Sequence, residues 1–205
     1  MNRSELWPSD HAGAVACVEF AKLQNAADNS AVITENKPGG GTVIGADTVA
    51  KAPPDGHHAL MAGPATHVIM PAIHPKLPYN ADKDFELVGM WAIVPSMISV
   101  HPSLPVNNTR ELIDYAKKNP GKLDYGFTHA ASGHMAMELF KQTTGIFMTG
   151  IPYKGGGPML NDLLAGTIPM FFLNQDAVLP HVRAGKLRAI AVTSKERNPL
   201  YPDVP

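Results

Sequence analysis

Apolar and polar positions along this chain follow two periods that alternate through most of its length. Residues 31–33 form a short apolar run of the kind that makes a strand, and residues 36–41 read as a turn. Thr42 stands where it would cap a helix reaching about Ala52, with Val43, Ala46 and Ala50 on one face. Residues 59–62 read as a buried strand, Gly63-Pro64 as a break, and residues 66–73 as a short helix. A polar, proline-bearing surface loop follows over residues 75–84. Residues 86–100 are apolar and rich in β-branched side chains, interrupted at Pro95, and fit one extended stretch or two strands.

The rhythm then repeats with greater regularity. Thr109 is expected to cap a helix ending near Lys118, with Leu112, Ile113 and Ala116 facing inward. Strands are expected over 123–126, 147–152, 168–173 and 187–193, and helices over 132–144, 157–165 and 177–184. Before Ala31 the periodicity is weak, and only a short helix over 12–26 is suggested. Short strands alternating with helices imply βα units and mainly parallel sheets, hence an α/β fold. The long linear stretch near 86–105 is the natural boundary between two lobes, 1–102 and 103–205.

Composition narrows the function classes. Of 205 residues, 44% are hydrophobic and 17% charged, enough apolar material for a packed core. Seventeen Lys and Arg against eighteen Asp and Glu give a net charge of −1, so no positive field gathers nucleic acid or an anionic membrane. A single cysteine, Cys17, excludes an internal disulfide framework and a multi-cysteine zinc site. No apolar run reaches the roughly 18–20 residues that span a bilayer. The first ten residues are mixed in charge and the stretch 12–21 is broken by Glu19, so no export signal is read in the chain as given.

The candidate chemistry is thin in catalysts and rich in helix starts. Gly39, Gly41 and Gly45 lie between a strand and a helix, as in a nucleotide-binding loop. The intervening residues 35–38 are too many for the tight turn, and the next strand ends in Gly63-Pro64 without an acidic ribose ligand. His57 and His58 are adjacent, and His129 and His134 are five apart across a loop, so no metal set is formed and no cofactor is expected. Ser132 sits at a strand-to-helix turn without the glycines of a nucleophile elbow, which favours a helix N-cap. Three turns, at 63–66, 128–132 and 154–157, place small or hydroxyl residues between a strand end and a helix start. Ligands of parallel sheets bind at that edge, where free N–H groups favour carboxylates or phosphates. The same turns serve equally well as plain helix caps.

A series of motifs in register then carries a resemblance. It opens with Asn-Lys-Pro-Gly-Gly-Gly-Thr-Val-Ile-Gly-Ala at 36–46, Val-Ala-Lys-Ala at 49–52 and Pro-Asp-Gly at 54–56. It continues with Thr66-His67, Lys-Leu-Pro-Tyr at 76–79, Lys-Asp-Phe at 83–85 and Pro-Ser-Leu-Pro at 102–105. The later half adds Pro-Gly-Lys-Leu-Asp-Tyr-Gly at 120–126, His134 with Glu138, and Ile-Pro-Tyr-Lys-Gly at 151–155. Leu-Pro-His at 179–181, Ala-Gly-Lys-Leu-Arg-Ala at 184–189 and Asp-Val-Pro at 203–205 close it. From about Val32 onward the chain resembles the Bug family, the periplasmic solute receptors of tripartite tricarboxylate transporters.

The resemblance implies a type II periplasmic-binding-protein-like fold: two α/β lobes with mainly parallel sheets, closing on a small organic carboxylate. The first lobe would be incomplete, since residues 1–31 do not match the family's opening strand and glycine-rich loop. The second would end at the return crossover. It further implies a non-catalytic receptor in the periplasm, partnered by transporter membrane subunits, with no nucleic acid and no insertion into the membrane. Carried over by position, the ligand-binding residues are Gly63, Ala65, Thr66 and His67; Thr128, His129, Ala131, Ser132, Gly133 and His134; Tyr153, Lys154 and Gly155; and Asn174. Phe127 and His129 stand where the family is richer in glycine. Two other readings stand beside it: a truncated receptor fragment without function, and a small α/β hydrolase-like enzyme using Ser132 with His129 or His134.

Overall fold

The computed structural model describes residues 32–37, 39–90 and 92–205. Two compact units part between residues 91 and 92. The expected helix over 12–26 and Cys17 lie outside the described residues.

In the first unit the chain enters a tight helical turn, Gly40–Thr42, and then helix α1, Val43–Ala50. Gly39, Gly40 and Gly41 all take positive φ, and Thr42 follows at φ 88°, a conformation unusual for a β-branched residue. The glycine run is therefore a turn that bends the chain into α1. Thr42 occupies the cap position, as expected, but its side chain makes no cap bond. Instead its hydroxyl lies 3.2 Å from that of Thr66. A single π-helical turn, Ala65–Ile69, runs directly into α2, Met70–Ile73, matching the short helix expected there.

The strands expected at 31–33 and 59–62 do not form in the described residues. Ile33 is 83% exposed and Met61 42%. An apolar run becomes a strand only when it pairs in a ladder, and no ladder among the described residues includes these runs. Within the stretch 86–100 one strand forms among the described residues, β1, Ser96–Val100. Leu87, Val88, Met90 and Ile93, on the near side of it, remain exposed.

The second unit is a layered α/β domain. After β1 come α3 (Thr109–Lys118), β2 (Asp124–Thr128), α4 (Ser132–Thr144) and β3 (Thr149–Tyr153). Then follow α5 (Gly156–Leu164), β4 (Met170–Asn174), α6 (Gln175–Arg183) and β5 (Arg188–Val192). The sheet order is β3-β2-β4-β1-β5. β2 pairs in parallel with β3 and β4, and β1 is antiparallel to both β4 and β5. Four strands thus run one way and β1 alone is reversed, in keeping with a mainly parallel sheet.

Alternate positions along the strands feed opposite faces. Ile98, Val100, Met170 and Phe172 join Leu112 and Ala116 of α3 and Met137 of α4 in one core. Met97 and Phe171 join Met159 and Leu163 of α5 and Val178 of α6 in the other. β1 is buried at all five positions, which is why its sequence, Ser-Met-Ile-Ser-Val, shows no polar face.

Helix starts differ from expectation in detail. The cap of α3 is Asn108, one residue before Thr109: its Oδ1 accepts from the Glu111 N–H at 2.9 Å. The Glu111 carboxylate returns to Asn108 Nδ2 at 2.6 Å and to the Asn107 N–H at 2.8 Å, a reciprocal arrangement close to a capping box. α4 begins at Ser132, but its cap position is Ala131, so Ser132 is an exposed first-turn residue and not the N-cap. Its second residue, Gly133, is buried. A Cβ there would lie 2.2 Å from the backbone carbonyl oxygen of Phe172, closer than any carbon can approach.

Two stability outcomes follow. Asn108→Ala removes the α3 cap and is expected to cost about 1 kcal/mol, read as a lower urea midpoint with an unchanged slope. Gly133→Ala must lift α4 from β4, and is expected to cost about 1–3 kcal/mol; a melting temperature equal to wild type would contradict the close contact.

Candidate functional site

β3, β2 and β4 are adjacent and parallel, so their carboxyl ends share one edge. Each runs into a helix: β2 into α4, β3 into α5, β4 into α6. Their cap positions are Ala131, Gly155 and Asn174, and none of the three makes a side-chain cap bond. The first-turn N–H groups of α4 and α5 are therefore left without a side-chain cap, whereas in α6 the Gln175 N–H donates to the Pro95 carbonyl at 3.0 Å. They carry the partial positive charge of the helix ends.

The second-unit residues expected from the sequence gather along this edge. Thr128 and Tyr153 close β2 and β3 and pair directly across the ladder. The Thr128 hydroxyl oxygen is buried without a partner. The chain turns tightly after it, with Ala130 at φ 58° and the Ala131 N–H donating to the Thr128 carbonyl at 3.1 Å. His129 is exposed in this turn. Lys154 is exposed, and Gly155 has an extended backbone with open space around it. Asn174 ends β4 at the start of α6.

His134, the third residue of α4, stacks on Phe127 with ring centres 4.2 Å apart and planes 18° from parallel. Its Nδ1 is buried without a partner. Burial holds its pKa below the usual imidazole value, and His129 and Lys141 add to this while Glu138 pulls the other way. Beyond it, Tyr125 donates to Glu138, which also accepts from Lys141 Nζ at 2.8 Å. Burial pushes Glu138 up, but the Lys141 and Tyr125 hydrogen bonds outweigh it and leave the carboxyl below its ordinary range. Tyr153 does not offer its hydroxyl to the edge: it donates to Asp162 at 2.6 Å, and burial, aided by that bond, raises the phenol to about 12.

In the first unit, Gly63, Ala65, Thr66 and His67 form one short segment. The Gly63 carbonyl accepts from the N–H groups of both Thr66 and His67, at 3.1 and 3.4 Å. Those two donors are thus already engaged. Thr66 is buried at 3% exposure, and its carbonyl accepts from the Tyr79 hydroxyl at 2.8 Å. The His67 ring meets Phe85 edge-on at 5.1 Å, and its Nε2 is buried without a partner.

Sequence reasoning missed Thr42, Tyr79 and Phe127, which position Thr66 and His134, and Gln175, whose Oε1 is buried without a partner at the start of α6. Phe127 had a signal in its departure from the glycine-rich pattern. Thr42 and Tyr79 had none, since each acts through a residue distant in sequence. A hollow of about 550 Å³ in the second unit lies along the outside of α4 beside Glu138, Leu139 and Lys141, and contains none of the loop residues. No hydrogen bond joins Ser132 to His134, whose ring is held by Phe127. Among the described residues no cluster of three metal-binding side chains occurs.

Comparison with known proteins agrees with this architecture. The family described as tripartite tricarboxylate transporter family receptor matches residues 21–205. The protein BugT of Bordetella pertussis is 35% identical over 176 residues, covering 85% of this chain and 54% of BugT. A solved structure of R. palustris Rpa4515 with adipate superposes with a TM-score of 0.93 at 33% identity, covering 97% of this chain and 67% of that one. MatC from Rhodopseudomonas palustris with bound malate gives 0.88 at 26% identity, covering 97% and 68%. The chain spans about half the length of the curated relatives it matches. The resemblance read from its motifs is therefore borne out, and the chain belongs to the tripartite tricarboxylate transporter receptor family.

Proposed function

We propose that this chain is the ligand-binding part of a periplasmic solute receptor that captures a small organic carboxylate for the membrane subunits of a tripartite transporter. It acts by binding and not by catalysis. The observation that carries this reading is the row of three adjacent helix N-termini, each without a side-chain cap, at the carboxyl-end edge of β3, β2 and β4. Such an edge supplies directed N–H donors and a local positive potential for an anion. The relatives crystallised with adipate and with malate support a carboxylate as the anion. The proposed contacts are those carried over from the motifs. In the second unit they are Thr128, His129, Ala131, Ser132, Gly133, His134, Tyr153, Lys154, Gly155 and Asn174. In the first they are Gly63, Ala65, Thr66 and His67. Tyr153 acts through its backbone, since its hydroxyl is taken by Asp162.

Calorimetry against mono-, di- and tricarboxylates is expected to show saturable binding of at least one class. Gly155 gives a clean probe, because a Cβ there meets nothing within 4 Å and the backbone suits any residue. Gly155→Asp would place a carboxylate on the start of α5, and is expected to weaken acid binding about tenfold or more while leaving the fold as stable as before. Gly155→Asn, a neutral cap, is expected to weaken it less. Equal affinities in wild type and Gly155→Asp would remove α5 from the site, and no binding of any acid by folded protein would overturn the receptor reading.

A further inference from the structure

The two nitrogens of His134 are not equivalent. Nδ1 is sealed from solvent and meets no acceptor or donor, which leaves Nε2 as the accessible nitrogen. A neutral imidazole carries one N–H, and the cation carries two. Placing a proton on Nδ1 would bury an N–H with nothing to receive it, an unfavourable arrangement. The tautomer with the proton on Nε2 leaves only a bare lone pair inside. The parallel stack on Phe127 fixes the plane of the ring, so the direction of the Nε2–H is fixed too.

We propose that His134 is a specificity-determining residue of the carboxylate site, acting as a neutral hydrogen-bond donor through Nε2–H and held in that single tautomer by its sealed Nδ1 and by Phe127. This inference rests on the receptor reading above and adds to it the protonation state that does the recognising. The site then selects its acid by the direction of its donors and not by a cationic side chain at this position.

The charged surroundings agree. From the turn after β2, His129 faces His134 with ring centres 6.0 Å apart. From its own helix, Glu138 and Lys141 act on it with opposite signs. β4, which lies under the start of α4, has the sequence Met-Phe-Phe-Leu-Asn and brings no titratable group. Burial dominates the balance and keeps the ring neutral near pH 7.

The test combines nitrogen NMR of the imidazole with calorimetry on malate and adipate. Gln places its amide nitrogen near the position of Nε2, and Asn places it near that of Nδ1. The ligand-free protein is expected to show the Nε2–H tautomer at pH 7. His134→Gln is expected to bind within about threefold of wild type, whereas His134→Asn and His134→Ala lose about tenfold, the size of one neutral hydrogen bond. Affinity should also stay level between about pH 6.5 and 8.5, the range over which an ordinary imidazole completes its loss of charge. A cationic ring or an Nδ1–H tautomer at pH 7, or a Gln variant as weak as the Ala variant, would overturn the proposal. Binding that survives unchanged in His134→Ala overturns this inference alone; failure of the wild type to bind either acid overturns the receptor reading and this inference with it.

Discussion

The contact between Gly133 and the carbonyl of Phe172 is the constraint on which the second unit's loop edge depends. No side chain separates the first turn of α4 from the backbone of β4. That places the helix start hard against the carboxyl end of the sheet, and one residue later fixes His134 above Phe127. The turn that feeds α4 must then be very short, and Ala130 takes a left-handed backbone to make it so. A glycine at 133 is thus a packing requirement, and the geometry of the neighbouring donors follows from it.

Anion recognition at such an edge rests on short-range terms. The chain's net charge is −1, so attraction must come from local dipoles. Helix-end potentials fade within the first turn, which favours ligands seated close to the backbone. The ion cluster of Tyr125, Glu138 and Lys141 lies farther along α4 and is self-contained: Lys141 is bonded to Glu138 and rests over the Tyr125 ring, 5.1 Å from its centre. Its charges largely cancel, and its part in the structure is to tie α4 to β2.

Most of the second unit was legible in the sequence because its strands and helices alternate with clear hydrophobic periods and turn residues between them. The helix over 132–144 appears with those bounds, and each later strand and helix lies within two or three residues of expectation. The errors there are local substitutions of one plausible cap for another: Asn108 for Thr109, and Ala131 for Ser132. Asn108 wins because Glu111 can reach both it and the preceding N–H. In the first unit the apolar runs at 31–33 and 59–62 are not strands among the described residues, since an apolar run records a tendency to be covered and a strand also needs a ladder partner. At the site, the loops were legible through motifs. The pairing of Thr42 with Thr66, the Phe127 stack and the buried Nδ1 were not, since they arise only from tertiary packing.

The two groups of loop residues differ in which polar groups their own hydrogen bonds have already taken. In the segment 63–67, the N–H groups of Thr66 and His67 are spent on the Gly63 carbonyl, and the Thr66 carbonyl on Tyr79. What that segment keeps is side chain: a hydroxyl paired with Thr42 and an imidazole braced by Phe85. The edge of β3, β2 and β4 keeps the opposite set, backbone N–H groups at the uncapped starts of α4 and α5, while the Gln175 N–H of α6 is taken by the Pro95 carbonyl. Backbone donors cannot rotate, so their geometry is set by the fold and not by the choice of side chain.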